Sequence, residues 1–303
     1  MSTPAPDISV IIATHGRPQL MAECVAALSR QSLAPHRYEV IIADDCTPVP
    51  LTREGLRLHE YPHLQVTLTR TERQSAPSGA RNRAVELARG TLLAVTDDDC
   101  LPDAHWLEAL WQAHRAHPQA LLGGKLYNVA TDLVAAEASQ VISDMVYAWY
   151  NRDPEHCRFF SMNNSAVGRA AFLEMGMFDE NFRGASEDRD FCERWHAAGR
   201  PMRFVADAVI GHNHRLTMKK FLAQHVYYGR GAAVYHAKRG GQTGGSMRKE
   251  MPFHRALPGL AVRRLRREPV VRRVQLAGLL GLWQVANAWG YFHERYVRNS
   301  TRG

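Results

Sequence analysis

Two largely apolar segments of the chain end in consecutive carboxylates. Thr91–Val95 is followed closely by Asp97–Asp99, and Tyr38–Ala43 is followed by Asp44–Asp45. An apolar run without alternation is typical of a parallel strand that is buried on both faces. Ligands of open α/β sheets bind at the carboxyl ends of such strands. Because desolvated neighbouring carboxylates repel one another and a divalent cation relieves that repulsion, the sequence predicts a cation site at this edge.

Strands and helices alternate through the first hundred residues. Ile8–Thr14 and Leu64–Leu68 predict further strands, and Ser78 is expected to cap a helix that lies between strands. This alternation predicts an α/β fold with a mostly parallel central sheet flanked by helices. The pattern after residue 100 is less regular, and there Arg203–Ala206 and Ala208–Ile210 predict two short strands.

The last third of the chain has the pattern of amphipathic helices. It begins at Thr217 and is broken by Gly240–Gly245, whose composition is typical of a flexible linker. We therefore predict an α/β domain over residues 1–216 and a basic, amphipathic helical region over residues 217–303. The apolar stretch Leu276–Phe292 is shorter than the ~20 residues that a membrane-spanning helix needs. It is expected to lie in a membrane interface or to pack on the domain.

Positive charge is concentrated in one segment. Arg215–Arg273 contains fifteen Lys and Arg against two Glu, a charge of +13, which leaves −5 for the rest of a chain whose total is +8. Such a segment is either a solvated helix face or a surface that attracts nucleic acid or phospholipid headgroups. Its arginines precede an apolar helix rich in aromatic residues, so we predict reversible binding to an anionic membrane, with packing on protein as the alternative. The residues concerned are Arg263, Arg264, Arg266, Arg267, Trp283, Trp289, Tyr291 and Phe292.

Cysteine usage and the first residues bear on location. The five cysteines show neither CxxC nor zinc-finger spacing, which favours a reducing compartment over a disulfide framework. Residues 1–7 lack the basic and then apolar profile of a signal peptide. The expected location is the cytoplasm, with peripheral contact to the inner face of the membrane.

Six short motifs follow one another along the chain. They are residues 8–18 (ISVIIATHGRP), 40–45 (VIIADD), 79–83 (GARNR), 90–99 (GTLLAVTDDD), 176–179 (GMFD) and 186–190 (SEDRD). In this order and at their approximate spacing they resemble glycosyltransferase family 2, over residues 7 to 236. The resemblance implies a GT-A fold and an inverting, metal-dependent, hexosyltransferase-like enzyme that transfers a sugar from a nucleotide-diphosphate sugar to an acceptor hydroxyl. Residues 1–100 would then bind the nucleotide, and residues 101–216 the acceptor.

The resemblance assigns the metal site. Asp97 and Asp99 match the DxD motif, in which the second carboxylate binds Mn²⁺ or Mg²⁺ and the ion bridges the donor's diphosphate. A hard cation there stabilises the charge of the leaving nucleoside diphosphate. His212 and His214 follow the last predicted strand, where the family often has a histidine that completes the metal site, and we take His212 as the ligand.

Donor-binding residues are also implied by the resemblance. Asp45 matches the position that hydrogen-bonds the base, and Arg81 matches a position that faces the nucleotide. The other predicted contacts to the nucleotide sugar are Thr14, His15, Arg17, Asp97 and Asp98. A UDP-sugar is the first choice of donor. Because Cys46 displaces the family's small polar residue beside the base, dTDP- and GDP-sugars stay as alternatives.

A pair of carboxylates is the expected catalytic site. Glu187–Asp188 matches the family's ED motif, and Asp188 corresponds to the base that takes the acceptor hydroxyl's proton during attack on the anomeric carbon. Contacts to the donor sugar and the acceptor are expected from Asn163, Asn164, Phe178, Asp179 and Glu187. The acceptor is a glycan, a lipid-linked molecule or a small molecule, and the basic tail favours a lipid-linked or cell-envelope glycan.

Other functions fit parts of the sequence. The main alternative is a catalytically silent protein that binds sugar nucleotides or polysaccharides, although the intact Asp99 and Asp188 favour catalysis. Only the basic segment suggests nucleic acid, and because no recognised module accompanies it we expect no nucleic-acid partner. A sugar-phosphate nucleotidyltransferase would have a Gly-rich loop after the first strand, whereas Thr14–Pro18 contains one glycine. Homo-oligomerisation is left open.

Overall fold

The central feature of the structure, a computed structural model, is one mixed β-sheet. The residues described are 5–182, 184–239 and 247–300. The strands are β1 (Ile8–Thr14), β2 (Tyr38–Asp44), β3 (Val66–Arg70), β4 (Leu92–Asp97), β5 (Cys100–Pro102), β6 (Leu121–Asn128), β7 (Asn164–Gly168) and β8 (Met202–His212). Within those ranges they form a single sheet in the order β3-β2-β1-β4-β7-β6-β8-β5.

One half of this sheet is parallel. β1 lies between β2 and β4, β3 extends the sheet on the far side of β2, and all three pairings are parallel. Nearly every residue of β1, β2 and β4 is buried, which explains why their sequences are apolar without alternation. The α/β class and the parallel pairing predicted for these strands are confirmed. Thr14, Asp44 and Asp97 end neighbouring strands at one edge.

The other half is built differently. β7 pairs antiparallel with both β4 and β6, and β5 pairs antiparallel with β8. The prediction of two short strands near residue 206 was wrong, because Met202–His212 is one strand. Ala206 and Asp207 are exposed and interrupt the apolar pattern, but the backbone ladder, not side-chain polarity, decides where a strand continues.

Helices connect and cover these strands. They are α1 (Pro18–Leu28), α2 (Ala76–Leu87), α3 (Trp106–Ala116), α4 (Val134–Tyr150), α5 (Arg169–Glu174), α6 (Glu187–Ala197), α7 (Met218–Arg239), α8 (Met247–Leu265) and α9 (Val270–Ser300). The predicted cap of α2 was wrong: the helix begins after Ser75, with Pro77 in its first turn, where proline is favoured. Ser78 is buried inside the helix, and its hydroxyl donates to the Phe182 carbonyl oxygen at 3.3 Å.

Contacts divide the chain into two compact units. The first comprises Met1–Tyr127, Asp153–Arg183 and Glu187–Asn213, and the second comprises Asn128–Arg152, Gly184–Ser186 and His214–Gly303. The core of the first unit is formed by apolar side chains of the sheet together with those of α1 and α3. The functional division at residue 216 stays a prediction.

The second unit is helical. α4, α7, α8 and α9 contribute to a common apolar core. The backbones of α7 and α9 approach closely, because a Cβ on Gly229 would collide with the Asn287 carbonyl oxygen and one on Gly290 with that of Val226. In the described part of the chain, no helix combines the length and apolarity that crossing a bilayer requires. The predicted linker Gly240–Gly245 lies outside the described residues.

Candidate active site

Two carboxylates of the loop after β4 are held by residues at the end of β1. Thr14 Oγ1 donates to Asp98 Oδ2 at 2.6 Å, and the half-exposed Arg17 guanidinium donates to Asp98 at 3.1 Å and to Asp99 at 3.2 Å. Burial raises the pKa of Asp98 to about 7 in spite of Arg17, and the charge of Asp99 adds to the increase. This edge therefore concentrates negative charge in a buried place, which favours binding of a cation.

His212 is brought beside Asp99 by the pairing of β5 with β8. Its Nε2 lies 3.3 Å from Asp99 Oδ1, and the backbone N–H of Asn213 donates to the Asp99 carbonyl oxygen at 2.8 Å. Burial lowers the pKa of His212, but the hydrogen bond and charge of Asp99 outweigh it, so the net shift is upward. A carboxylate and an imidazole are a suitable ligand set for Mn²⁺.

Cys100 is a member of this cluster that the sequence did not indicate. Ligand atoms of Asp99, Cys100 and His212 all lie within 4.8 Å of one another. Burial raises the pKa of the Cys100 thiol well above its usual range, and the charges of Asp99 and Asp97 add to that effect. The thiol is therefore protonated at neutral pH, and the carboxylate and imidazole are the better ligands for a hard cation.

Arg81 links the end of β4 to the start of α6. Its guanidinium donates to Asp97 Oδ1 at 2.6 Å and to Glu187 Oε1 at 2.8 Å. Burial lowers the pKa of Arg81, but the two carboxylates outweigh it and raise the pKa above its ordinary value. Arg81 was predicted to face the nucleotide and Glu187 the substrate, and here both side chains are engaged with each other.

Asp188 lies in the first turn of α6, after Ser186, which adopts φ 84°. One oxygen, Oδ1, accepts the backbone N–H of Arg189 at 2.7 Å. Burial raises the pKa of Asp188 to about 7, and the charge of Glu187 raises it further than the Arg189 N–H lowers it. A carboxylate with a pKa near neutrality is suited to act as a general base.

Asp45 and His15 lie together at the ends of β2 and β1. The Asp45 Oδ1 accepts hydrogen bonds from the Ser75 backbone N–H at 2.7 Å, from the Ser75 hydroxyl at 2.8 Å and from the Thr71 hydroxyl at 3.0 Å. His15 Nδ1 is 2.8 Å from the Asp45 carbonyl oxygen, and its Nε2 is 3.0 Å from Gln74 Nε2. Sequence reasoning missed Thr71, Gln74 and Ser75, because nothing local marks the loop before α2 as a partner of Asp45.

The two predicted asparagines have structural contacts. Asn164 is fully buried; its amide donates to the carbonyl oxygens of Lys125 and Ala208, each at 2.9 Å, and accepts the Trp106 indole N–H at 2.9 Å. These bonds tie β7 to its neighbours, and the sugar contact of Asn164 stays a prediction. Asn163 is only partly buried, and its side-chain oxygen accepts the Ser161 hydroxyl at 2.7 Å.

Phe178 is likewise a core residue. It is buried, and its ring packs against Phe172 at 5.0 Å and Phe191 at 5.4 Å between centroids. These contacts place the ring in the core, and the contact of Phe178 with substrate stays a prediction. Asp179, partly exposed, closes a turn by accepting both the backbone and the side-chain N–H of Asn181.

Comparison with known proteins is consistent with this geometry. A family model described as Glycosyl transferase family 2 matches residues 9–177. The chain is 28% identical over 224 residues to a validoxylamine A glucosyltransferase of Streptomyces hygroscopicus subsp. limoneus, covering 65% of this chain and 49% of the relative. It is 22% identical over 232 residues to a pre-mycofactocin glycosyltransferase of Mycobacterium tuberculosis, covering 75% and 47%. The chain thus spans about half the length of these relatives.

Solved structures share the fold. A mannosyltransferase from Pyrobaculum calidifontis in complex with GDP-Man and Mn²⁺ superposes with a TM-score of 0.63 at 17% identity, covering 98% of this chain and 88% of that one. Residues 1–349 of TarS from S. aureus in complex with UDP give a TM-score of 0.54 at 16% identity, covering 98% and 91%. The predicted GT-A fold is confirmed by these neighbours.

Proposed function

Because this chain belongs to glycosyltransferase family 2, we propose that it transfers a sugar, with inversion, from a nucleotide-diphosphate sugar to an acceptor hydroxyl. The observation that carries the proposal is the pairing of Asp99 with His212 at the carboxyl end of β4, where the side chains of Thr14 and Arg17 also converge. In α/β sheets this edge is where nucleotides bind.

Asp99 and His212 would hold Mn²⁺ or Mg²⁺. Both are suitable ligands, and burial of negative charge around Asp98 supports a cation at this edge. When bound, the ion would neutralise charge on the diphosphate leaving group. A structural neighbour was solved with GDP-Man and Mn²⁺, and another with UDP, which supports this class of donor. Arg17 would add positive charge next to the diphosphate, and Asp45 would hydrogen-bond the base.

Asp188 would be the catalytic base. Its Oδ1 is engaged with the Arg189 N–H, which leaves Oδ2 to take the proton of the acceptor hydroxyl. The Arg81 bridge between Asp97 and Glu187 would position the start of α6 against the end of β4. A fixed distance between base and donor is what a single inverting displacement needs.

We also propose a class of acceptor and a place of reaction. A lipid-linked or cell-envelope glycan is favoured, since Arg215–Arg273 has a net charge of +13 whereas the rest of the chain has −5. The five cysteines are free thiols, which supports action in a reducing compartment. The first choice of donor is a UDP-sugar, and dTDP- and GDP-sugars are the alternatives.

A donor panel tests the proposal. The full chain would be incubated with UDP-, dTDP- and GDP-sugars and Mn²⁺, with and without lipid-linked and soluble acceptors, and free nucleoside diphosphate would be measured. We expect release with one class of donor and loss of release in EDTA. Binding of a donor by calorimetry without release under any of these conditions would instead support a silent sugar-nucleotide-binding protein.

A further inference from the structure

The helix α9 has two apolar faces. One face carries Leu276, Leu279, Trp283 and Tyr291, which are buried in the second unit. The other face is exposed and carries Val271, Val274, Leu282, Val285, Trp289, Phe292 and Tyr296. We call this second set the outer stripe. Its members lie on one face of the helix over about 38 Å, with Gly278 at the position between Val274 and Leu282.

The apolar and aromatic side chains of the outer stripe have large exposed fractions. Val285 and Trp289 are each 67% exposed, and Tyr296 is 75% exposed. An exposed apolar helix face of this length marks a binding site for another apolar surface. Its aromatic residues lie in the C-terminal half of α9, and aromatic side chains are favoured at the boundary between lipid headgroups and acyl chains.

A group of exposed arginines adjoins the N-terminal end of the stripe. Arg263, Arg266 and Arg267 lie around the end of α8 and the turn into α9, and we call them the basic corner. Val262, Val270 and Val271, which are close to them in sequence, are exposed as well. Arg264 differs from its neighbours, because its guanidinium is bound to Glu137, Asp144 and Glu268. Among the residues that the structure describes, no acidic side chain forms an ion pair with Arg263, Arg266 or Arg267.

Charge decides between two occupants of the stripe. A second copy in parallel register would bring two basic corners together. In antiparallel register each corner would meet the C-terminal end of α9, where Arg295 and Arg298 outnumber Glu294. Both arrangements are repulsive, whereas an anionic lipid surface attracts the corner and accepts the apolar stripe.

We propose that the outer stripe and the basic corner together form a docking surface for an anionic lipid bilayer. α9 lies in the plane of the interface, with Trp289, Phe292 and Tyr296 inserted at headgroup level and the arginines against phosphate groups. This interaction is independent of the transfer reaction, since it needs neither donor nor metal. The aromatic residues of α9 thus have two roles: Trp283 and Tyr291 pack inside the second unit, and Trp289 and Phe292 contact lipid.

Vesicle co-sedimentation of the full chain tests this surface. Vesicles of phosphatidylcholine alone would be compared with vesicles that also contain phosphatidylglycerol, at low and high sodium chloride. We expect binding to the anionic vesicles at low salt and weaker binding at high salt. The triple variant Arg263→Gln, Arg266→Gln, Arg267→Gln is expected to bind on the order of 100-fold more weakly, at about fivefold per arginine. The double variant Trp289→Ala, Phe292→Ala is expected to lose on the order of tenfold or more.

Controls make each outcome informative. Arg30→Gln, Arg53→Gln, Arg83→Gln removes the same charge from exposed positions of the first unit and is expected to bind like the unchanged chain. Equal loss in this control would overturn the basic corner as the site. A full chain that stays in the supernatant with anionic vesicles at low salt would overturn the proposal without any variant. Analytical ultracentrifugation that shows a dimer abolished by Trp289→Ala, Phe292→Ala would replace the lipid surface with a second copy.

Discussion

The edge of the sheet that carries Asp97–Asp99, which we call the carboxylate edge, and the outer stripe of α9 are both costly in free energy when nothing is bound. The reasons are opposite. At the edge, carboxylates are buried or partly buried, and each has a basic partner: Arg17 contacts Asp98 and Asp99, and Arg81 contacts Asp97. On the stripe, apolar side chains are exposed among the residues that the structure describes. The side chains of the first surface are fixed before a ligand binds, and such preorganisation strengthens the binding of a small polar ligand. The second needs only area and charge, which suits an extended partner.

The largest effect is expected at the metal ligand. Asp99→Asn removes a charge that Arg17 and His212 both contact, so we expect loss of transfer on the order of 10³-fold and of Mn²⁺ binding by calorimetry. Asp103→Asn is a matched control, because Asp103 is exposed in the same segment. If Mn²⁺ binds Asp99→Asn as tightly as the unchanged chain, the edge is not a metal site. The edge would then differ from the stripe in charge but not as a site organised for a small ligand.

The catalytic base is expected to give the next largest effect. Asp188→Asn keeps the shape of the side chain but removes the proton acceptor, so we expect turnover to fall on the order of 10²-fold while donor affinity by calorimetry is unchanged. The exposed Asp207→Asn in β8 serves as control. Equal losses of donor affinity and turnover would assign Asp188 to binding instead of proton transfer.

A pair of substitutions compares the two faces of α9. Gly290→Ala places a Cβ against the Val226 carbonyl oxygen, so we expect it to lower the free energy of unfolding by about 2 kcal/mol. Gly278→Ala adds a methyl group where nothing lies within 4 Å, and we expect it to raise that free energy by up to about 1 kcal/mol through helix propensity. Denaturant titration of both variants measures the difference. Equal effects would mean that the inner face of α9 is not packed as described.

The pH dependence of kcat/KM gives the smallest and most specific test. Because the pKa of Asp188 is raised to about 7 and the base must be deprotonated, the rate should fall about tenfold per unit as pH drops below that value. Rates at higher pH should be level until another group titrates. A profile that stays level well below pH 7 would contradict the conclusion that burial raises the pKa of Asp188.

Much of the fold was predictable because its signal is local. The strands β1, β2 and β4 are predicted by apolar runs in the sequence. Asp97–Asp99 follows one of these runs, so its position at a strand end is predicted without knowledge of the tertiary structure. The antiparallel half was less predictable, since β5 has three residues and β8 has an exposed centre. Resemblance to a family added Asp188 and His212, which periodicity alone would not select from other acidic residues and histidines of the chain.

The side-chain partners were not predictable, for a physical reason. Arg81 reaches Glu187 across 106 residues of sequence, and Asn164 reaches Trp106 across 58. Which polar groups satisfy one another depends on which elements become neighbours after folding, and no local pattern records that. The same dependence on neighbours places Phe178 in the core.

In the C-terminal helix α9, the sequence determines the helix and the tertiary structure determines which of its faces is buried. Composition and periodicity determined that residues 270–300 form a helix rich in aromatic residues, preceded by arginines. Trp283 and Trp289 are six residues apart and so lie about 120° from each other around the helix axis. Both faces are apolar, so the pattern by itself cannot select the inner one. Only packing against α7, through Gly229 and Gly290, decided that Trp283 is buried and Trp289 is left exposed.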